Sequence, residues 1–334
     1  MCWRGQDTGF YLKQVFVVYH MKLTVLDLFC GCGGMTQGLE MAGLEVLAGV
    51  DIWDKAVDNY NKNHTHQAFC EDLTKFPPEK MAERVKVPID IIVGGPPCQG
   101  FSIAGRRDTK DPRNSLFMEY VRYINYFSPK AFIMENVMGI LSMKTDKGES
   151  VIDIITSHFD ENYNWIVCKL FASDFGVPQN RRRVIIIGVR KDLGIVPSEP
   201  KPTSPRPPVG PLLLPRDQVP EACFLSERAK QGIETKKERS KKEGNGFGAQ
   251  ILDVTKPSYT IPARYWKDGY DALVRYPEDG HLRRLTILEL KRIQSFPDNY
   301  VLDGSKKDVI MQIGNAVACL FAEQLGHHLI RTLQ

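Results

Sequence analysis

The chain has no pair of cysteines at the spacing that structural zinc sites require. Its eight cysteines are scattered over 334 residues, and none belongs to a C-x-x-C motif. Cys30 and Cys32 are the closest two, and no second pair completes a tetrahedral site. His64 and His66 are close to each other but far from any cysteine cluster. We therefore expect the protein to bind no metal.

The sequence also has no long apolar run, and its first twenty residues do not have the pattern of a secretory signal. No uninterrupted apolar run approaches the roughly 20 residues that a membrane helix needs. Residues 1–20 lack the basic start, long apolar middle and small-residue cleavage site of a secretory signal. We expect them to be a peripheral extension, and the protein to work in the cytoplasm, at the nucleoid in a bacterium. The net charge of +4 is a weak hint of an anionic partner and nothing more.

From Met21 onward, strand-like and helix-like segments alternate. Strand character is found at 22–30, 44–52, 67–70, 89–95, 131–137, 165–173 and 182–189. Helical spacing of apolar residues is found at 35–42, 54–62, 115–127 and 149–159. This alternation predicts an α/β fold with a doubly wound, mainly parallel seven-stranded sheet. The short connection between the last two strands predicts an antiparallel hairpin at the sheet edge.

A change of composition near residue 196 predicts a second domain. A proline-rich stretch interrupts the alternation there, and residues 196–304 have few helix or strand signals. We expect this region to form a smaller, loop-rich domain. The last thirty residues regain helical spacing and are expected to dock on the larger one. The larger domain would then comprise 21–195 plus 305–334.

A glycine-rich loop, FCGCGGMTQG (29–38), follows the first strand and opens a helix. This is where a doubly wound sheet binds a nucleotide-like ligand. Gly31 and Gly33 match the first two positions of G-x-G-x-x-G, whereas Thr36 stands at the third. The loop alone is a weak signal, because a tight strand-to-helix turn has the same composition.

The second and third strands end in residues that suit an adenosine-shaped ligand. Asp51 lies roughly twenty residues past the loop, where a carboxylate accepts hydrogen bonds from ribose hydroxyls. Ile52 and Trp53 offer apolar surface for an adenine ring, and Asp72 is placed to accept from its amine. These residues leave a dinucleotide and S-adenosylmethionine equally open.

A cysteine with unusual neighbours follows the fourth strand, in GGPPCQGFS (94–102). The two prolines before Cys98 hold it on a stiff loop, where it could be a nucleophile, a metal ligand or a bystander. Glu135 lies at the carboxyl end of the fifth strand, and the period of two places Arg181 and Arg183 on one side of the seventh. A thiol, a carboxyl and two guanidiniums at one sheet edge favour nucleophilic chemistry, because cations lower a thiol pKa.

An ordered set of motifs resembles the cytosine-C5 DNA methyltransferase family. The set is DLFCGCGG, GGPPCQGFS, MENV, QNRRR, RRLTILELKRIQSFPDNY and IGNAV. It covers nearly everything from Met21 to the C-terminus except the middle of the smaller domain. The resemblance implies the class I S-adenosylmethionine-dependent methyltransferase fold, with target recognition by residues 196–304.

The resemblance also implies a mechanism. Cys98 would attack C6 of a cytosine flipped out of the duplex, and Glu135 would contact N3 and offset the developing charge. C5 then takes the methyl group from S-adenosylmethionine, and a base removes the C5 proton as the cysteine leaves. Arg181 and Arg183 would position the base and the active-site loop.

Two further groups of residues are carried over by the resemblance. The cofactor site would be lined by Phe29, Gly31, Gly34, Asp51, Ile52, Asp72, Pro97, Leu116 and Asn315. DNA would be contacted by Ser102, Arg106, Arg107, Lys110, Arg264 and Tyr265. The alternative for the basic residues at 105–115 is a solvated loop, and for Arg264 and Tyr265 it is packing of the smaller domain.

The function these residues predict is that of a DNA (cytosine-5-)-methyltransferase. It would act on double-stranded DNA as a monomer, as a sequence-specific modification enzyme with or without a restriction partner. A tRNA methyltransferase is one alternative, disfavoured because Leu225 follows Cys223 and Phe224 where that branch has threonine. An inactive DNA-binding relative is disfavoured by the intact motif residues, and a thiol enzyme using a dinucleotide by Thr36.

Overall fold

The structure is a computed structural model that describes residues 22–97, 115–145, 147–242 and 249–334. Several predicted features lie outside these ranges: the extension 1–20, Cys98, Ser102, Arg106, Arg107 and Lys110.

The centre of the fold is a seven-stranded sheet. Its strands are β1 Thr24–Leu28, β2 Glu45–Asp51, β3 Ala68–Cys70, β4 Ile91–Gly94, β5 Ala131–Val137, β6 Tyr163–Phe171 and β7 Arg182–Arg190. They lie in the order β3-β2-β1-β4-β5-β7-β6. Neighbours are parallel except β7, which runs antiparallel to both β5 and β6. The predicted α/β class, the mainly parallel sheet and the antiparallel hairpin at its edge are confirmed.

Helices cover both faces of this sheet. Those of the larger region are α1 Gly34–Met41, α2 Asp54–Asn63, α3 Pro78–Val85, α4 Ser115–Phe127 and α5 Val151–Ser157. Helix α3 is missing from the sequence expectations. Its proline stands in the first turn, where the missing N–H costs no hydrogen bond, so a residue that normally signals a break here begins a helix.

Side chains point alternately to the two faces of the sheet along each strand, so each strand contributes to two hydrophobic cores, one on each face. Leu26 of β1 and Phe132 of β5 belong to a core with α4, whereas the adjacent Val25 and Ile133 belong to a second core with α1 and the C-terminal helix. A strand buried on both faces needs apolar residues at every position, which is why these segments have nearly continuous apolar runs.

The smaller region has its own core. Its elements are α6 Glu227–Lys242, β8 Leu273–Arg275, β9 Leu282–Arg284 and α7 Ile287–Ile293, and they are followed by α8 Lys306–Asn315 and α9 Cys319–Leu333. The core of this region includes Val309 and Ile313 of α8, beyond the predicted boundary at residue 304. Helix α9 packs instead on α1, where Gly38 allows the backbone of Cys319 to approach closely.

Among the described residues, one stretch, Lys306–Leu333, is long and apolar enough to cross a membrane by length and composition alone. It consists of α8 and α9, and the backbone between them is extended at Ala316 and Ala318. Most of the stretch is buried inside the fold, and buried core helices pass the same test. It is therefore only a weak sign of a membrane segment.

Candidate active site

A cavity of about 640 Å³ opens at the carboxyl ends of β1, β2, β4 and β5. Eight of the nine predicted cofactor residues line it: Phe29, Gly31, Asp51, Ile52, Asp72, Pro97, Leu116 and Asn315. Three of the four predicted catalytic residues line it as well: Glu135, Arg181 and Arg183. The meeting of these residues follows from the topology, because parallel strands end at the same sheet edge.

The loop after β1 is held in a left-handed conformation by contacts with β2. Phe29, Gly31 and Gly33 have φ values of 60°, 54° and 90°. The Gly31 N–H donates to Oδ2 of Asp51 at 2.9 Å, and the Trp53 N–H donates to Oδ1 of the same carboxylate at 2.8 Å. A Cβ on Gly31 would meet no atom within 4 Å, so the backbone conformation and not packing requires glycine there. Burial raises the pKa of Asp51, and these N–H donors oppose that shift.

Gly34, the ninth predicted cofactor residue, is absent from the residues that line the cavity, and its role in cofactor binding stays a prediction. It is buried at the start of α1, and a Cβ placed on it would lie 2.4 Å from the carbonyl oxygen of Val317. Glycine is therefore needed for close packing between α1 and the segment before α9.

Apolar and carboxylate groups form the outer wall of the cavity. Ile52 is 69% exposed although it lines the cavity, which is unusual for a large aliphatic side chain. Asp72 accepts hydrogen bonds at Oδ1 from the backbone N–H and the hydroxyl of Thr74, and these lower the pKa of Asp72. The wall thus offers apolar surface and an ionised carboxylate close together.

Glu135 and Arg183 form an ion pair on the inner wall. Nε of Arg183 donates to Oε1 of Glu135 at 2.5 Å, and both side chains are mostly buried. The antiparallel register of β5 and β7 brings them together, since Val137 pairs with Arg183. A Cβ on Gly95 would lie 3.1 Å from Oε2 of Glu135, so glycine leaves room for that oxygen.

Arg181 joins the cavity to the smaller region. Its guanidinium donates to the carbonyl oxygens of Ile261 and Gly314, and its Nε is buried without a partner among the described residues. Burial, and then the charge of Arg183, lower the pKa of Arg181. Arg181 precedes β7 and is not part of it, which corrects its predicted place on the strand. The backbone at 179–180 pairs with Ser258 instead.

The segment that leads to Cys98 is anchored to β5. Nδ2 of Asn136 donates to the carbonyl oxygen of Pro96 at 3.1 Å, and Oδ1 of Asn136 accepts from the N–H of Val137. Pro97, the last described residue before Cys98, lines the cavity. The chain therefore leaves the described region at the cavity wall.

Comparison with known families agrees with this geometry. The model of the C-5 cytosine-specific DNA methylases matches residues 23–331. The chain belongs to this family. The resemblance predicted from the motifs is thereby confirmed, and so is the assignment of the chain as a DNA cytosine-C5 methyltransferase.

Individual relatives cover almost the whole chain. The type II methyltransferase M.DdeI of Desulfomicrobium norvegicum is 32% identical over 376 residues, covering 92% of this chain and 88% of the relative. M1.HphI of Haemophilus parahaemolyticus is 33% identical over 349 residues, covering 96% and 90%.

Solved structures show the same methyltransferase fold. A protein described as a DNA modification methyltransferase encoded within an Escherichia coli prophage matches with a TM-score of 0.73 and 25% identity, over 93% of this chain and 99% of that one. A Spodoptera frugiperda DNMT2 mutant matches with a TM-score of 0.72 and 21% identity, over 93% and 99%. The second likeness shows the fold alone.

The two described residues predicted to contact this methyltransferase's DNA differ in exposure. Arg264 is exposed and donates to Asp271 at 2.7 Å. Tyr265 is only 2% exposed; its hydroxyl donates to the carbonyl oxygen of Ala272 and accepts from the N–H of Leu285. Tyr265 therefore packs the smaller region, which favours the packing alternative over a DNA contact for this residue.

Sequence reasoning missed Gln312 on the cavity wall. Oε1 of Gln312 accepts from Asn59, while its buried Nε2 has no partner among the described residues. It lies three residues before Asn315 on α8, and that helical spacing was the signal that could have identified it. The other missed wall residues include Met35, Thr260, Pro262, Ala263 and Val317.

Two cysteines of the glycine-rich loop also line the cavity. Burial raises the pKa of Cys32 to about 12 and the pKa of Cys30 well above its ordinary value. A thiol is nucleophilic only as the thiolate, so neither is suited to attack a substrate.

Proposed function

We propose that the protein transfers the methyl group of S-adenosylmethionine to C5 of cytosine in double-stranded DNA. The observation that carries this proposal is the single cavity that joins the Asp51 loop to the Glu135–Arg183 pair. One end suits a nucleoside, and the other presents a carboxyl and guanidiniums to a second ligand. A methyl donor and a base could meet there.

The residues at the first end fit S-adenosylmethionine. The volume of about 640 Å³ lies within the usual range for small-molecule sites. Asp51 is oriented by two backbone N–H groups, and the exposed Ile52 offers a face for a purine ring. Nε2 of Gln312, which has no partner in the ranges that the structure describes, supplies a donor that a polar ligand group would satisfy. When bound, S-adenosylmethionine supplies an electrophilic methyl group.

At the second end, the Glu135 carboxyl, in its protonated form, is proposed to donate a hydrogen bond to N3 of cytosine. Attack at C6 moves electron density from the ring toward N3 and O2, so a carboxyl group and nearby guanidiniums stabilise the product of that attack. Arg183 holds Glu135 in place. Nε of Arg181, for which the described residues provide no acceptor, is a candidate donor to the base. A base must then remove the C5 proton as the cysteine leaves.

Cys98 is the proposed nucleophile. Cys30 and Cys32 share the cavity wall but are held protonated by burial. Cys98 directly follows Pro97, which lines the cavity beside Glu135 and Arg183. If the Cys98 thiol enters this cavity, the charges of Arg181 and Arg183 on its wall would favour the thiolate.

The finer aspects of the function are also proposals. We propose that the protein acts as a cytoplasmic monomer and modifies a specific DNA sequence; its relatives M.DdeI and M1.HphI are named type II methyltransferases. Residues 196–304 would recognise the target. The basic helix α6 and Arg264 would lie near the phosphates.

The test is transfer of labelled methyl from S-adenosylmethionine to unmethylated DNA and to tRNA in parallel. We expect label in DNA, loss of turnover in Cys98→Ser, and a covalent complex with DNA that contains 5-fluorocytosine. Cys70→Ser is the matched control, because Cys70 is exposed and is absent from the cavity wall. Label in tRNA alone, or full activity of Cys98→Ser, would overturn the proposal.

A further inference from the structure

Three potential metal ligands converge beside the glycine-rich loop. Glu40 lies on α1, and His64 and His66 follow α2. Their ligand atoms all lie within 4.8 Å of one another. Oε2 of Glu40 is 2.8 Å from Nδ1 of His64, and Oε1 is 3.5 Å from Nδ1 of His66. The His64 side chain is fully buried, whereas that of Glu40 is 31% exposed.

The hydrogen bonds of Tyr300 determine which nitrogen of His64 carries a hydrogen. The Tyr300 hydroxyl donates its one hydrogen to the carbonyl oxygen of Cys32, which can only accept. Nε2 of His64 lies 2.9 Å from the same hydroxyl and must therefore donate to it. In the neutral ring, Nδ1 of His64 then has a lone pair directed at Glu40.

A parallel chain of hydrogen bonds orients His66. The Thr36 hydroxyl donates its one hydrogen to Oδ2 of Asp27 and therefore accepts from the Tyr60 hydroxyl. The Tyr60 hydroxyl then accepts from Nε2 of His66 at 2.7 Å. Nδ1 of His66 is left with a lone pair on the Glu40 side, 3.5 Å from Oε1 of Glu40.

We propose that Glu40, His64 and His66 form a zinc-binding site. Two imidazole lone pairs and a carboxylate directed at one another attract a cation, and this donor set suits Zn²⁺ with water as the fourth ligand. Ligands of a tetrahedral zinc ion lie about 3.3 Å apart. The two Glu40 contacts, 2.8 Å from Oε2 to His64 and 3.5 Å from Oε1 to His66, bracket that value on the two carboxylate oxygens, and the ligand atoms, which lie within 4.8 Å of one another, would adjust around the ion. The second nitrogen of each ring is already held by a tyrosine, as metal-binding histidines require.

The three-dimensional arrangement thus leads to the opposite of the expectation that the protein binds no metal. Glu40 and the histidines are 24 and 26 residues apart in sequence, and no cysteine is involved, so the spacing rules for zinc motifs do not apply.

The site would stabilise the loop that forms the cavity wall. A Cβ on Gly33 would lie 2.5 Å from the Tyr300 hydroxyl and 2.6 Å from Nε2 of His64. The loop therefore rests directly on the two groups that orient the first ligand. Zinc would hold His64 and Tyr300 in place beneath Cys32 and Gly33, which is a structural and not a chemical role.

Metal binding to the full chain tests the proposal directly. After stripping with a chelator, the protein is titrated with Co²⁺ alone, followed by displacement with Zn²⁺. We expect one equivalent bound, with the visible bands of a four-coordinate site and no thiolate-to-cobalt charge-transfer band. Zinc should also raise the Tm.

Variants distinguish this site from the cysteines. Glu40→Gln and, independently, His66→Gln should weaken metal binding by more than about 100-fold. Tyr300→Phe should weaken it by about tenfold, because Tyr300 hydrogen-bonds to a ligand and is not a ligand itself. His281→Gln is the control, since His281 forms an exposed pair with Asp279 and should bind metal as the wild type does.

Three outcomes would overturn the proposal. The first is that the wild type binds no equivalent of Co²⁺, and the second is a thiolate-to-cobalt charge-transfer band. The third is that Glu40→Gln and His66→Gln bind metal with the affinity of the wild type. The cluster would then be an ion pair between protonated histidine and Glu40 only. If Glu40→Gln does not fold, the wild-type titration and His66→Gln still decide.

Discussion

Two arginine–glutamate pairs in this protein are similar in chemistry and differ in their surroundings. Glu289 and Arg283, in the smaller region, are almost completely buried, and two guanidinium nitrogens donate to the two carboxylate oxygens at 2.8 Å. The N–H groups of Leu214 and Thr286 donate to the same carboxylate. Glu135 and Arg183 also form a short contact, but they line a cavity of about 640 Å³.

The difference between the pairs separates a structural role from a functional one. Every lone-pair direction of Glu289 that a protein commonly uses is occupied, and Thr286 and Glu289 also form the capping box of α7. Among the described residues, the Glu135 carboxylate accepts from Arg183, and its Oε2 lies beside the small Gly95. A buried carboxylate with remaining capacity at a cavity wall is suited to bind a ligand.

Of the substitutions considered, Glu135→Gln should have the largest effect, and that effect should be on the rate of methyl transfer. An amide cannot transfer or share the proton that N3 of cytosine requires, so methyl transfer to DNA should slow by about 10²- to 10⁴-fold. The free energy of unfolding should change by less than about 1 kcal/mol, because the site is open to a ligand and the shape is kept. Labelled methyl transfer and urea unfolding measure the two quantities. If Glu135→Gln instead lowers the free energy of unfolding by several kcal/mol and activity falls only through unfolding, Glu135 has a structural role and not the proposed role in the reaction.

Glu289→Gln should show the reverse pattern. It leaves Arg283 buried with its charge unpaired, which typically costs about 3–5 kcal/mol of stability. Activity per folded molecule should stay near that of the wild type at a temperature where the variant is folded. Urea unfolding and methyl transfer at low temperature provide the measurements. If Glu289→Gln is as stable as the wild type, the buried Arg283–Glu289 pair does not stabilise the fold.

The sequence predicted the sheet well because its signals are local. The β5 range 131–137 and the α4 range 115–127 agree with the structure, since each apolar pattern is bounded by polar or turn residues. Asp51 and Glu135 were both associated with the cavity because carboxyl ends of parallel strands share an edge.

Contacts between distant segments could not be predicted in this way. Gly34 packs on Val317, and Tyr265 turns inward to Ala272, so a motif residue and an aromatic next to an arginine have structural roles. The convergence of Glu40 with His64 depends on how α1 and α2 pack, which no local pattern contains.

Asp27 is a third buried carboxylate that lines the cavity, and within the described part of the chain no guanidinium donates to it. Burial raises the pKa of Asp27 from 3.8 to about 7, although Thr36 donates to it and opposes the shift. The folded protein therefore holds a proton that the unfolded chain loses above its lower pKa. This contribution to stability is present at acid pH and is lost as the pH rises toward 7.

Asp27→Asn should remove this pH dependence. Relative to the wild type, the variant should gain a few kcal/mol of stability between pH 4 and pH 8, since one pKa unit corresponds to about 1.4 kcal/mol. Urea unfolding at both pH values measures the difference. An unchanged pH dependence in Asp27→Asn would mean that Asp27 ionises normally in the fold.

Arg264 and Asp271 extend the comparison to an exposed pair, where the smallest effect is expected. The Arg264 side chain is 60% exposed, so Arg264→Ala should change stability by less than about 1 kcal/mol. If Arg264 contacts a phosphate, DNA affinity should fall and the slope of log affinity against log salt should decrease by about 0.9. Arg190→Ala is the control, because Arg190 pairs with Asp192 at the end of β7 that lies away from the cavity. An equal salt slope in both variants would place Arg264 away from the DNA and leave its contact with Asp271 as its role.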